Sequence, residues 1–118
     1  MRSIQIIGGK RLKGEVIPQG AKNEALQILC AVLLTKEPVT IHNIPDIVDV
    51  NKLIDLLGFM GVQVEKLGEG SYKFIADNVD VEFFLKPQFK TLGGGLRGSV
   101  MVVGPTLARF GKGYIPTP

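Results

Sequence analysis

The chain has 118 residues, 45% hydrophobic and 21% charged, which supplies enough apolar side chain for a packed core and excludes wholesale disorder. A net charge of +3 suits an anionic small molecule, but aromatics are only 7%, Trp is absent and no basic run is interleaved with rings, a pattern that argues against nucleic acid. The one cysteine, Cys30, excludes an internal disulfide, no signal-type segment opens the chain, and the longest apolar run, ILCAVLL, is too short to span a bilayer, so the composition reads as a soluble cytoplasmic protein.

In chain order, SIQII (3–7) alternates and ends at Gly8-Gly9, which predicts a strand. The basic cluster Lys10, Arg11 and Lys13 reads as a solvated turn. LKGEVIP (12–18) predicts a second strand, closed by Pro18 and Gly20. A nearly all-apolar helix follows over 21–34, a turn at Thr35–Pro38, and a third strand, VTIHN, over 39–43. Asp49 is a plausible N-cap for a helix over about 49–59. There Val50, Leu53, Ile54 and Leu57 keep the i, i+3, i+4, i+7 spacing, and Gly58 or Gly61 ends it. VQVEKL (62–67) and YKFIA (72–76), joined through GEG, predict a hairpin.

Residues 12–76 therefore read as β-α-β-α-β-β, with the two crossovers implying parallel pairing and the last turn an antiparallel strand. Residues 78–95 predict a short strand or loop and a glycine-rich approach. Residues 96–111 predict a second apolar helix, kinked or split by Pro105. KGYIP begins a further strand, so the chain reads as one complete unit plus part of a second.

Two helix starts share a pattern. GAKNEAL (20–26) and GLRGSVM (95–101) both place a cation, Lys22 or Arg97, two residues after a glycine. The free N–H groups and the macrodipole already make a helix N-terminus positive, so a cation there is unfavourable by a few tenths to about 1 kcal/mol. A bound anion reverses that sign. Lys22 offers a point charge and Arg97 a fork matched to phosphate or carboxylate. The plainer alternatives are that both merely cover surface, that Glu24 neutralises Lys22, and that Asn23 satisfies backbone groups. His42 lacks a second metal-type ligand at a recognisable spacing and reads as structural; Cys30 reads as core. Asp46 and Asp49 form a possible acidic pair, although capping explains Asp49. Gly93–Gly95 matches no phosphate-loop motif and reads as a lead into Arg97. These residues by themselves reach an α/β protein with anion sites at two helix starts.

GEVIPQGAKNEALQILCAVLLTKEPVTIHNIPDIVDV and LRGSVMVVGPTLARFGKGYIPTP together resemble the enolpyruvyl transferase family. Asn23 after Lys22 is similar to the UDP-sugar branch; the shikimate-pathway branch normally has serine there. The resemblance implies repeated βαβαββ units of the inside-out α/β barrel type, with residues 1–20 contributing to the other domain or the hinge and 21–118 forming a partial domain. It implies transfer of the enolpyruvyl group of phosphoenolpyruvate to the 3-hydroxyl of UDP-N-acetylglucosamine, for peptidoglycan precursors, with no metal or cofactor. In that chemistry the hydroxyl adds to C2, C3 is protonated, and phosphate leaves the tetrahedral intermediate. Lys22 and Asn23 would contact phosphoenolpyruvate and Arg97 would bind UDP-N-acetylglucosamine. The family's loop acid, Cys or Asp, would fall just past Pro118. The chain then reads as an N-terminal fragment that needs the rest of its parent enzyme and has no turnover alone. A fragment of the shikimate-pathway enzyme and a non-catalytic anion-binding module are the alternatives.

Overall fold

A computed structural model describes residues 2–85 and 97–114, apart from the side chains at 84 and 97–99. Helix α1 spans Lys22–Ala31 and runs into a 3-10 turn at Val32–Leu34. Strand β1 is Val39–Ile41, helix α2 is Val48–Phe59, and strands β2 (Gln63–Gly68) and β3 (Ser71–Ile75) follow. A 3-10 turn at Val81–Leu85, another at Arg97–Val102, and helix α3 (Val103–Phe110) complete the described elements.

The periodic apolar face of α2 decides the packing. Val50, Leu53, Ile54, Leu56 and Leu57 are all buried, and they meet Leu29 and Leu33 from α1 and its 3-10 extension, Phe74 from β3, Phe83 and Val102 in one core. The helix ends where Gly61 takes φ +106, and a Cβ there would come within 2.3 Å of the Asn78 carbonyl oxygen. Only glycine fits both the left-handed backbone and that approach.

The sheet has the order β1-β3-β2, and both pairings are antiparallel. Val39 faces Phe74 on one side of β3, and Val64 faces Phe74 on the other. The expected parallel contact across α2 is therefore not made. β1 and β2 do run in the same direction, as a crossover requires, but β3 is inserted between them. The tight β2–β3 turn places β3 beside β2, and its free edge then takes β1.

The expected strands at 3–7 and 12–18 do not form. Residues 2–21 carry no regular secondary structure, and Ile4, Ile6, Leu12 and Val16 are 88–90% exposed. Alternation is a property of one segment, whereas a strand needs a partner to take its backbone hydrogen bonds, and no described strand pairs with these residues. Lys10, Arg11 and Lys13 are exposed, but the turn expected there is not formed.

The helix expected at 21–34 is present but shorter, and it is not buried along its length. Leu29 and Cys30 are buried, whereas Gln27 and Ile28 are exposed, because α2 and the turn at Arg97–Val102 cover one side only. The segment at 96–111 divides at Val102/Val103, upstream of Pro105, whose ring excludes the regular α-helical bond to the Met101 carbonyl. Thr106, fully buried, donates its hydroxyl to the Val102 and Val103 carbonyls at 3.0 and 3.1 Å. Lys112–Tyr114 forms no strand, and Gly93–Gly95 lies outside the described residues.

Candidate anion site at the start of the first helix

Gly20 seats this site. A Cβ on Gly20 would lie 2.0 Å from the Asn43 carbonyl oxygen and 3.1 Å from Pro45 Cδ, so the chain entering α1 rests directly on the loop that leads into α2. That loop is held from its other side, where the Ile44 N–H donates to the Gly70 carbonyl at 2.9 Å. Asn43 itself adopts φ 59, a left-handed conformation that Asn tolerates better than most residues. Two glycines thus let three backbone segments approach closely, and the starts of α1 and α2 are brought together.

Ala21 is the N-cap residue of α1, in an extended conformation with no side-chain cap. The first intrahelical bond is Ala25 N–H to the Ala21 carbonyl, 3.0 Å. The N–H groups of Lys22, Asn23 and Glu24 have no intrahelical acceptor, as in any helical first turn. All three residues are exposed. A cavity of about 80 Å³ beside the helix start is lined mainly by apolar atoms and includes Gly20, Ala21, Glu24, Ile28 and His42, but neither Lys22 nor Asn23 lines it.

Lys22 is not an isolated charge. Its Nζ lies 2.7 Å from Asp49 Oδ2, and both side chains are about half exposed (51% and 44%). Asp49 is the second residue of α2 and not its cap: Ile47 occupies that position, without a side-chain cap hydrogen bond. A carboxylate in this first turn is favoured by the α2 dipole. The hydrogen bond and charge of Lys22, with a smaller contribution from Lys52, hold the Asp49 carboxyl below its ordinary range. The neutralising partner of Lys22 is therefore Asp49 and not Glu24. Because that pair satisfies Lys22 inside the chain, the charge pattern by itself does not require a bound anion.

Asp46 accepts a hydrogen bond from Asn51 Nδ2 at 2.8 Å, so Asp46 and Asp49 serve different partners. His42 Nδ1 and Ser71 Oγ are 2.9 Å apart, a cross-strand contact in line with its structural reading. Cys30 is 2% exposed, and burial pushes its thiol up to about 12, an inert core thiol as expected. Arg97 is the first residue of the 3-10 turn that packs on α1, so both cations open helical segments; its side chain lies outside the described residues. The pairing of Asp49 with Lys22 is the contact that no local pattern in the sequence reveals. The available signal was a carboxylate in the first turn of the helix following the one that Lys22 opens.

At the other end of α1, Arg109 from α3 donates to the Leu33 and Thr35 carbonyls at 3.0 and 3.3 Å. This cation satisfies the carbonyl end of the segment and fixes α3 against it. Glu82 accepts from the Tyr114 hydroxyl at 2.9 Å and pairs with Lys112.

The family model for EPSP synthase (3-phosphoshikimate 1-carboxyvinyltransferase) matches residues 6–117. Proteins from Bacteroides fragilis and Porphyromonas gingivalis, each named UDP-N-acetylglucosamine 1-carboxyvinyltransferase, are 57% and 52% identical over all 118 residues. A protein of the same name from Psychrobacter arcticus is 39% identical over the same span. The chain spans 27% of the length of these curated relatives. Among solved structures, the enolpyruvyl transferase NikO from Streptomyces tendae is similar over 86% of this chain and 23% of its own, with a TM-score of 0.65 at 26% identity.

Proposed function

The chain belongs to the EPSP synthase family, and from that premise we propose that it is the N-terminal part of a UDP-N-acetylglucosamine 1-carboxyvinyltransferase. The observation that carries the proposal is the 57% identity over every residue of the chain to a protein of that name. The reaction is transfer of the enolpyruvyl group of phosphoenolpyruvate to the 3-hydroxyl of UDP-N-acetylglucosamine, with release of phosphate, in the cytoplasmic synthesis of peptidoglycan precursors. No described helix is long and apolar enough to cross a membrane.

In this reading the α1 start is the phosphoenolpyruvate end of the site. Lys22 meets the phosphate or carboxylate as a point charge, and Asn23 hydrogen-bonds near the reacting centre. The free N–H groups of the first turn add donors that need no reorganisation. Lys22 then stabilises charge on the departing phosphate, an effect that grows as water is excluded. Arg97 binds the UDP-sugar. Residues 1–20 belong to the other domain or the hinge, a role supported by their exposed apolar side chains. Residues 21–118 form a partial domain that works with the remainder of the parent enzyme.

The test is phosphate release from phosphoenolpyruvate by the full-length polypeptide that carries these residues. Release that requires UDP-N-acetylglucosamine is expected; release that requires shikimate 3-phosphate instead would overturn the assignment. The 118-residue chain incubated with both substrates is expected to release none.

A further inference from the structure

We propose that Asp49 is a positioning residue for phosphoenolpyruvate, acting through Lys22; this rests on the reading of Lys22 given above. A lysine ammonium on a flexible four-carbon stem is a poor preorganised ligand unless something fixes it. Here the stem leaves the first residue of α1, and the ammonium is caught 2.7 Å from a carboxylate in the first turn of α2. The bond therefore draws the charge across the junction that Gly20 and Asn43 bring together. It occupies one of the three ammonium donors and leaves two for an incoming anion. Half of each side chain is open to solvent, so an anion can reach the ammonium without unfolding the junction.

The charge on Asp49 does not simply cancel the site. It lies at the favourable end of the α2 dipole, and Lys52 lies close enough to act on it. Asp46, the other nearby acid, is engaged with Asn51, and Glu24 has no ion pair with Lys22 among the described residues. Asp49 is thus the carboxylate that sets where the Lys22 ammonium sits, as an outer partner orients an inner ligand.

The experiment is steady-state kinetics of the full-length transferase with Asp49→Asn and Asp49→Glu. Asn keeps the size and removes the charge; Glu keeps the charge one methylene further out. The expected result for Asp49→Asn is a fall of about tenfold in kcat/KM for phosphoenolpyruvate, the scale of losing an orienting partner. The KM for UDP-N-acetylglucosamine and the thermal midpoint stay unchanged, and Asp49→Glu recovers part of the loss. Unchanged phosphoenolpyruvate kinetics in Asp49→Asn would overturn the proposal, as would a rise in the KM for UDP-N-acetylglucosamine as large as that for phosphoenolpyruvate, which marks a merely structural residue. A wild-type enzyme that makes no enolpyruvyl product defeats the functional reading itself. A full-strength Lys22→Ala variant defeats the role of Lys22. A severe Lys22→Ala defect beside a silent Asp49→Asn defeats this inference alone.

Discussion

Gly20 has no room for a side chain because the Asn43 carbonyl oxygen occupies the place where a Cβ would go, 2.0 Å away. That atom is backbone and cannot rotate aside, so Gly20→Ala has to push the start of α1 off the α2 loop. The expected loss of stability is about 1–3 kcal/mol, the range for overpacking a tight contact. Urea unfolding followed by far-UV circular dichroism measures it; a wild-type midpoint in Gly20→Ala would show that this contact is loose.

Lys22→Ala separates charge from fold. The pair with Asp49 is half exposed, and such pairs add little to stability. The thermal midpoint of the full-length enzyme is expected to stay at the wild-type value. Its kcat/KM for phosphoenolpyruvate is expected to fall by about 10²–10³, the scale of removing one preorganised donor from developing charge. Phosphate-release kinetics beside a melting curve read both quantities, and a wild-type rate would retire Lys22 from the site.

The cluster around Glu82 gives a pH signature. Lys112 and the Tyr114 hydroxyl hold the Glu82 carboxyl below its ordinary 4.5, so its stabilisation is present above that value and is lost as pH falls through the folded pKa. Glu82 in turn raises Lys112 above 10.5 and Tyr114 above 10.0. Those contributions are present below the ordinary values and are lost as pH rises through the folded ones. Urea midpoints measured against pH should therefore fall below about pH 4.5 and above about pH 10, and Glu82→Gln should flatten both limbs. Parallel wild-type and mutant curves would mean that the cluster is silent.

Cys30 gives a probe of integrity. With its thiol buried and pushed up to about 12, almost no thiolate forms at neutral pH. Native chain is expected to resist a disulfide reagent at pH 8 and to react at once in denaturant. Fast labelling of the native state would place Cys30 outside the core.

What could be read in the chain was what depends on near neighbours. The α2 face of Val50, Leu53, Ile54 and Leu57 carries its period in plain view, and the β2–β3 hairpin is marked by its own glycines. The start of α1 beside Gly20 was legible for the same reason. What could not be read depends on distant partners. The alternation in 3–7 and 12–18 shows a side that wants covering, not what covers it. The pairing of Val39 with Phe74 and the bond from Lys22 to Asp49 join residues that no local pattern relates. A carboxylate near a helix start fits a cap and a first-turn position equally well, and only the location of the first turn, with Ile47 as the cap, assigns Asp49 to the second.

The insertion of β3 between its neighbours sets an order of events. The β2–β3 hairpin can zip by itself in roughly 1–10 μs, whereas β1 has nothing to dock on until β3 is in place. With only Val39–Ile41 contributing, it is also the shortest of the described strands and lies at an edge of their sheet. It is thus the last to be fastened and the first to fray, and its amides should trade with solvent before those of β3. Asn43, on which Gly20 rests, is two residues past its end, so the rigidity of the junction between the starts of α1 and α2 is borrowed from the shortest of the described strands.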